Sequence, residues 1–222
     1  MQMVGSLMYL TSTRPDIMFV VSLLSRYLAH PTELHMQAAK RVLRYIKGTL
    51  SYGILYKQSG NKRLLAYTDS DYAGDLKDRK STSGYLFVLS SGAVSWASKK
   101  QPVVTLSTTE AEFIAAASCA CQAVWVRRML EKLDHESAGT TIIYFDNSST
   151  IKLSKNPVMH GRSKHIDVRF HFLRDLTRDG VVTLMHCHSQ EQLADIMTKP
   201  ITRMVFEKLR MMMGVCDDPG IN

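Results

Sequence analysis

The spacing of apolar positions changes along the chain, and each change marks a new kind of element. Residues 1–50 read as helical. Val4–Leu10 is a short apolar run, and Thr13 then precedes Pro15 and Asp16, which is good helix-start chemistry for a pattern running to about Leu28. Pro31 breaks that pattern, Thr32 can cap a second helix through Lys47, and Gly48 stops it. Met36, Ala39, Val42, Leu43 and Ile46 form the apolar stripe of this helix. Lys40, Arg41, Arg44 and Lys47 cluster on the rest, as a solvated basic face or one that meets phosphates.

From Ser51 the period becomes two. Tyr52–Lys57, a turn at 59–61 and Arg63–Thr68 predict a β-hairpin. After a polar loop, Gly84–Leu89 and Ala93–Ser98 predict a second hairpin. Ser107-Thr108-Thr109-Glu110 is a capping box for a helix to about Leu133, small and apolar almost all round and therefore packed on more than one side. Thr141–Phe145 predicts a strand, Asn147 or Ser148 the cap of a helix through Lys155, and Lys164–Arg178 a basic amphipathic helix. Val181–Met185 is the last predicted strand, Thr202–Met213 the last helix, and residues 216–222 a frayed tail.

Composition narrows the class. With 222 residues, 45% of them hydrophobic, the chain can bury a substantial core, and 22% charged residues argue against wholesale disorder. The net charge of +8 favours a polyanionic partner. No apolar run is long enough to span a bilayer, and no signal-peptide pattern opens the chain. Four cysteines without a CxxC pair read as reduced thiols, so an intracellular setting is expected.

The candidate chemistry lies in carboxylates. In LLAYTDSDYAGD, Leu64–Asp75, four mostly apolar residues run into Thr68 and Asp69, and period two puts Asp71 on the same face. Two like charges that close stay ionised only if cations or donors hold them, and a hard divalent metal is the simplest such cation. Glu110 is explained by the capping box, whereas Glu112 lies among residues that must be buried and has no such role. Asp146 ends another strand, and Asp195 follows Leu193 and Ala194. If the strands of Asp69 and Asp146 are parallel neighbours, the four acids meet over the carboxyl edge of a mixed α/β sheet. Two magnesium ions roughly 3.5–4 Å apart would neutralise them in an in-line phosphoryl-transfer site. His186-Cys187-His188 invites a zinc reading, but alternating residues on one strand supply two ligands at most and no partner pair is evident.

The stretches VGSLMYLTSTRPDI, HMQAAKRVLRYIKGT, YTDSDYAGD, RKSTSGYLF, WASKKQPVVTLSTTEAEF, FDNSSTIKL, KHIDVRFHFLRD and QLADIMTKP occur in order over nearly the whole chain. With them the chain resembles the ribonuclease H domain of copia-type long-terminal-repeat retrotransposon Pol polyproteins, preceded by the last helices of the reverse transcriptase. The resemblance implies a ribonuclease H-like α/β fold, a five-stranded mixed sheet flanked by helices and preceded by a helical segment. It implies endonucleolytic hydrolysis of the RNA strand of RNA–DNA hybrids with two Mg2+ ions, or Mn2+ in their place. In that likeness Asp69 is the first-strand aspartate, Glu112 (opening EFIAAA) the helix glutamate, Asp146 the strand-ending aspartate and Asp195 (in LAD) the last metal-side acid. Arg79, Lys80, Ser81, Thr82, Lys99 and Asn147 are then expected near the hybrid, with Lys164 and Arg169 on phosphates of the DNA strand. The glycine-rich pattern around the family's mobile histidine is missing here, so neither His186 nor His188 is assigned a catalytic role.

The expected division is a helical reverse-transcriptase remnant over 1–50, a ribonuclease H-like domain over 51–215 and a tail over 216–222. Helices in 1–50 would ordinarily pack on a polymerase palm, so here their apolar surface is exposed, mobile or docked on the nuclease. No YxDD motif occurs, and polymerisation is not expected of what reads as a C-terminal fragment of a polyprotein. The expected partners are an RNA–DNA hybrid and the rest of the reverse transcriptase, with no membrane. The setting is the cytoplasm, a virus-like particle or the nucleus. The competing readings are a catalytically silent relic that binds nucleic acid or a partner without cutting, and an integrase- or resolvase-like nuclease of the same fold. The helix glutamate close after the second hairpin disfavours the latter.

Overall fold

The computed structural model describes residues 2–57, 63–133, 139–148, 151 and 164–217, without the side chains of 164–168 and 170. Helices α1 (Gln2–Leu10) and α2 (Met18–Ser25) flank a 3-10 turn at Pro15–Ile17, and α3 (Glu33–Lys47) follows. The backbone amide of Thr32 donates to Nδ1 of His35 at 3.0 Å, satisfying the entry to α3, and Gly48 ends it as expected. Of the α3 stripe, Ala39 and Val42 are buried against α1 and α2, while Met36 and Leu43 stay exposed because α3 docks along a narrow line.

Strands β1 (Tyr52–Ile54), β2 (Leu64–Ser70), β3 (Thr82–Leu89) and β4 (Gly92–Lys100) precede the long helix α4 (Thr108–Lys132). Then come β5 (Thr141–Phe145), α5 (Lys164–Arg178), β6 (Val182–His186), 3-10 turns at Ser189–Glu191 and Leu193–Met197, α6 (Arg203–Met212) and β7 (Val215–Asp217). The main sheet has five strands in the order β4-β3-β2-β5-β6. Strand β3 is antiparallel to β2 and β4, whereas β5 is parallel to β2 and β6. This is the five-stranded mixed sheet that the resemblance implies, and the neighbours expected to be parallel, those of Asp69 and Asp146, are so.

One face of the sheet is covered by α4 and α5. Ala116, Cys119, Ala120 and Ala123 let α4 lie close on Ala66, Phe87 and Ile143, and Leu173 of α5 closes the same core. Each of the large side chains there, such as Phe87 or Phe145, contributes roughly 1.5–3 kcal/mol by leaving water. The other face is covered by the turn at Leu193–Met197 and by α6, through Leu193, Ile196, Met197, Leu209 and Met213 against Leu86 and Val88. Ser107 caps α4, its Oγ accepting from the Glu110 amide at 3.1 Å.

The first expected hairpin does not form. Strand β1 pairs instead with β7, antiparallel, matching Tyr52 with Asp217 and Ile54 with Val215. Tyr52 and Ile54 pack against the α6 core, which delivers the chain's last strand beside them. Gly214, at φ +82°, makes the reversal, and its carbonyl accepts from the Leu55 amide at 2.9 Å. Cys216 and Asp217 thus belong to a strand rather than to the expected frayed tail; residues 218–222, the turn at 59–61 and most of the expected helix through Lys155 fall outside the described residues.

The amino-terminal helices pack on the β4 side of the sheet. Trp96 Nε1 donates to the Thr11 carbonyl at 2.9 Å, and Ser22 Oγ to the Ser98 carbonyl at 2.8 Å. Arg14 and Asp16, both buried, form a two-pronged pair at 3.0 and 2.7 Å, and Arg14 also reaches Thr49. Tyr45 donates to Asp16 at 2.6 Å and accepts from Arg210 of α6 at 3.2 Å, joining the two ends of the chain. Burial beside Asp16 pushes the Tyr45 hydroxyl up to about 12, so it remains a donor.

Candidate active site

Parallel pairing of β2 and β5, with Tyr67 opposite Tyr144, carries both strands to the same edge of the sheet. Asp69 is the penultimate residue of β2 and Asp146 lies just past β5. Asp195 arrives from the opposite face, on the 3-10 turn beneath the sheet. One carboxylate oxygen from each of the three lies within 4.8 Å of the others. Asp69 and Asp195 are buried and Asp146 half-buried.

The turn of Asp195 is held to the sheet by buried Gln192. Its Nε2 donates to the Thr68 carbonyl at 3.1 Å, and its Oε1 accepts from the Ala194 amide at 3.2 Å. Thr198 Oγ1 donates to Oδ2 of Asp69. Lys199 follows, with Nζ 2.8 Å from Oδ1 of Asp195 and 3.4 Å from Oδ2 of Asp69.

Charge crowding is visible in the acids. Burial pushes the Asp195 carboxyl up to about 6, and the charges of Asp69 and Asp146 add to the rise that Lys199 partly offsets. Burial and Asp69 likewise raise Asp146. Burial alone would lower Lys199, but Asp69, Asp195 and Asp146 outweigh it and hold the ammonium charged. Three hard oxygen donors with unmet negative charge are a donor set suited to Mg2+ or Mn2+.

Glu112 is tied to this group through the residue after Asp146, Asn147 Nδ2 donating to Glu112 Oε1 at 3.0 Å. Buried Gln101 sets that position. Its Nε2 lies 2.8 Å from the Ala111 carbonyl and from Ser83 Oγ, and 3.1 Å from Ser70 Oγ, stapling α4 to the ends of β2 and β3. Asp71 does not join Asp69. Strand β2 ends at Ser70, the chain turns through Ala73 at φ +53°, and Asp71 Oδ1 accepts from the Thr82 amide at 2.6 Å.

The residues expected near a nucleic acid divide. Arg79 and Lys99 are exposed and Lys80 is half-exposed. Ser81 and Thr82 are 0% and 2% exposed, so the expectation that they meet a ligand is corrected. They brace the loop: Ser81 Oγ accepts from the Ala73 amide and Thr82 Oγ1 from Arg26. Arg169 is half-buried on the side of α5 that faces Cys121 of α4. The side chain of Lys164 lies outside the described residues. His186 Nε2 is 3.1 Å from the Asp146 carbonyl oxygen, and its ring meets that of His188 edge-on at 6.0 Å.

Sequence reasoning missed Gln101, Gln192, Thr198 and Lys199. The available signal was the i, i+4 spacing of Asp195 and Lys199, which places an acid and a base together on any helical turn.

No family model matches the chain. It is 42% identical over 216 residues to the retrovirus-related Pol polyprotein from transposon RE1 of Arabidopsis thaliana, covering 97% of this chain and 15% of that protein. It is 43% identical over 214 residues to the corresponding polyprotein from transposon TNT 1-94 of Nicotiana tabacum, covering 96% of this chain and 16% of that one. The chain therefore spans about a sixth of the length of these curated relatives. Among solved structures, LC11-RNase H1 isolated from compost is similar with a TM-score of 0.47 at 13% identity, covering 66% of this chain and 97% of that one.

Proposed function

The chain belongs to the retrovirus-related Pol polyproteins of transposons, and from that premise we propose that it hydrolyses the RNA strand of RNA–DNA hybrids with divalent metal. The observation that carries the proposal is the meeting of Asp69, Asp146 and Asp195, from three separate elements, within 4.8 Å at one sheet edge. Asp69, Asp146 and Asp195 would hold the ions, with Glu112 beside Asn147 as the fourth carboxylate. The chemistry that bound Mg2+ would supply there is a more acidic water to attack the scissile phosphate and stabilisation of the leaving 3′ oxygen.

The protein's own groups have separable tasks. Thr198 orients Asp69 through its hydroxyl, and Gln192 fixes the turn that presents Asp195. Asn147 positions Glu112, and Gln101 fixes the first turn of its helix. Exposed Arg79 and Lys99, with Lys80, suit phosphate contacts, so binding should weaken with salt. Discrimination for RNA would rest on its 2′-hydroxyls. No helix of the described residues is long and apolar enough to cross a membrane. Four free thiols suit an intracellular site of action.

Incubation with labelled hybrid and Mg2+ tests this. Cleavage by wild type that Asp69→Asn and Glu112→Gln both abolish supports the nuclease. Tight, salt-sensitive binding without cleavage would instead favour a silent relic.

A further inference from the structure

We propose that Lys199 is a built-in countercation of the acid cluster, seated where divalent ions would enter, and that its displacement sets the metal affinity of the site. The inference rests on the metal reading above and goes beyond it, because it assigns the metal-free state its own cation. Three observations carry it. The ammonium lies 2.8 Å from Asp195 and 3.4 Å from Asp69, bridging two of the three clustered acids. The amides of Thr198 and Lys199 both donate to the Asp195 carbonyl at 3.2 Å, so the backbone folds Lys199 back over the acid four residues before it. Its side chain is 38% exposed, so it can swing into solvent without opening the core.

Charge then decides what coexists. Two divalent ions carry four positive charges, which Asp69, Glu112, Asp146 and Asp195 balance. An ammonium left among the same oxygens would be an uncompensated cation at close range, where repulsion is strong. Metal entry therefore requires Lys199 to leave, and metal loss lets it return. In the metal-free protein it spares three crowded carboxylates from repelling one another.

Calorimetric titration of Mg2+ alone into the full chain, without nucleic acid, reads this directly. Lys199→Met is expected to bind Mg2+ about tenfold more tightly than wild type, since the competing cation is gone. Lys199→Arg, which keeps the charge, is expected to stay near the wild-type value. In EDTA the Lys199→Met protein should melt lower than wild type, and its gain on adding Mg2+ should be larger. If Lys199→Met does not fold, the NMR signal of the Lys199 side-chain methylene beside Nζ serves in wild type, and should shift with the same Mg2+ midpoint as binding. Equal affinity in Lys199→Met, or a Lys199 signal indifferent to bound Mg2+, overturns the proposal while leaving the metal site standing. A wild type that takes up no more Mg2+ than Asp146→Asn removes the metal reading and this proposal together.

Discussion

Gly84 sits opposite Asp69 across β2 and β3, and a Cβ there would stand 2.5 Å from Cβ of Met197 and 2.8 Å from Cγ2 of Thr198. The turn that presents Asp195, Thr198 and Lys199 thus reaches Asp69 only because this position lacks a side chain. Gly84→Ala is expected to lift that turn, lowering stability by about 1–3 kcal/mol and weakening Mg2+ binding. Denaturant melts and metal titration check both; unchanged metal affinity would show that the turn's approach is not what builds the site. Such residues were hard to read from sequence. Asp69, Asp146 and Asp195 were legible because an acid beside an apolar run has no ordinary structural use. Gly84, Gln101 and Lys199 have ordinary explanations in any local window, and acquire their roles only when segments far apart in the chain meet.

The loop after β2 is an element built around one acid. Asp75 is buried, its carboxylate 2.7 Å from Lys100 Nζ and 3.9 Å from Arg26, with the Lys77 amide donating to it at 3.0 Å. Burial pushes this carboxyl up, but Lys100 and the backbone donors outweigh it and hold the group below its ordinary range. A depressed folded-state value means stability present above the unfolded-state value and lost as pH falls through the folded one. The gap in melting temperature between wild type and Asp75→Asn is therefore expected to be full above about pH 5 and to shrink steadily below it. A gap that persists unchanged into strong acid would contradict the assignment. Helices and the main sheet were legible because their periods of 3.6 and two are local signals, and α4 runs where its capping box and small residues placed it. The β1–β7 pair was not, since each three-residue strand takes its partner from the opposite end of the chain.

At the scale of the molecule, the amino-terminal helices are joined to α6, which packs on the main sheet, through Arg14, Asp16, Tyr45 and Arg210. Removing one member of a buried ion pair strands the other charge, so Arg14→Met is expected to cost about 3–5 kcal/mol in chemical denaturation. A cost under about 1 kcal/mol, the range of a surface pair, would show the lock to be dispensable. That lock steadies the edge on which Arg26 props the loop beside the acids. The account stands or falls on whether three acids drawn from β2, the end of β5 and a distant 3-10 turn act as one catalytic centre. The most direct measurement offers the full chain an RNA–DNA hybrid labelled on each strand in turn, with Mg2+, beside an Asp146→Asn protein of matched fold. The account predicts cuts in the RNA strand alone, leaving 3′-hydroxyl and 5′-phosphate ends, lost in EDTA and in Asp146→Asn. An intact RNA strand with folded, metal-supplied wild type, or equal cutting by Asp146→Asn, would contradict it.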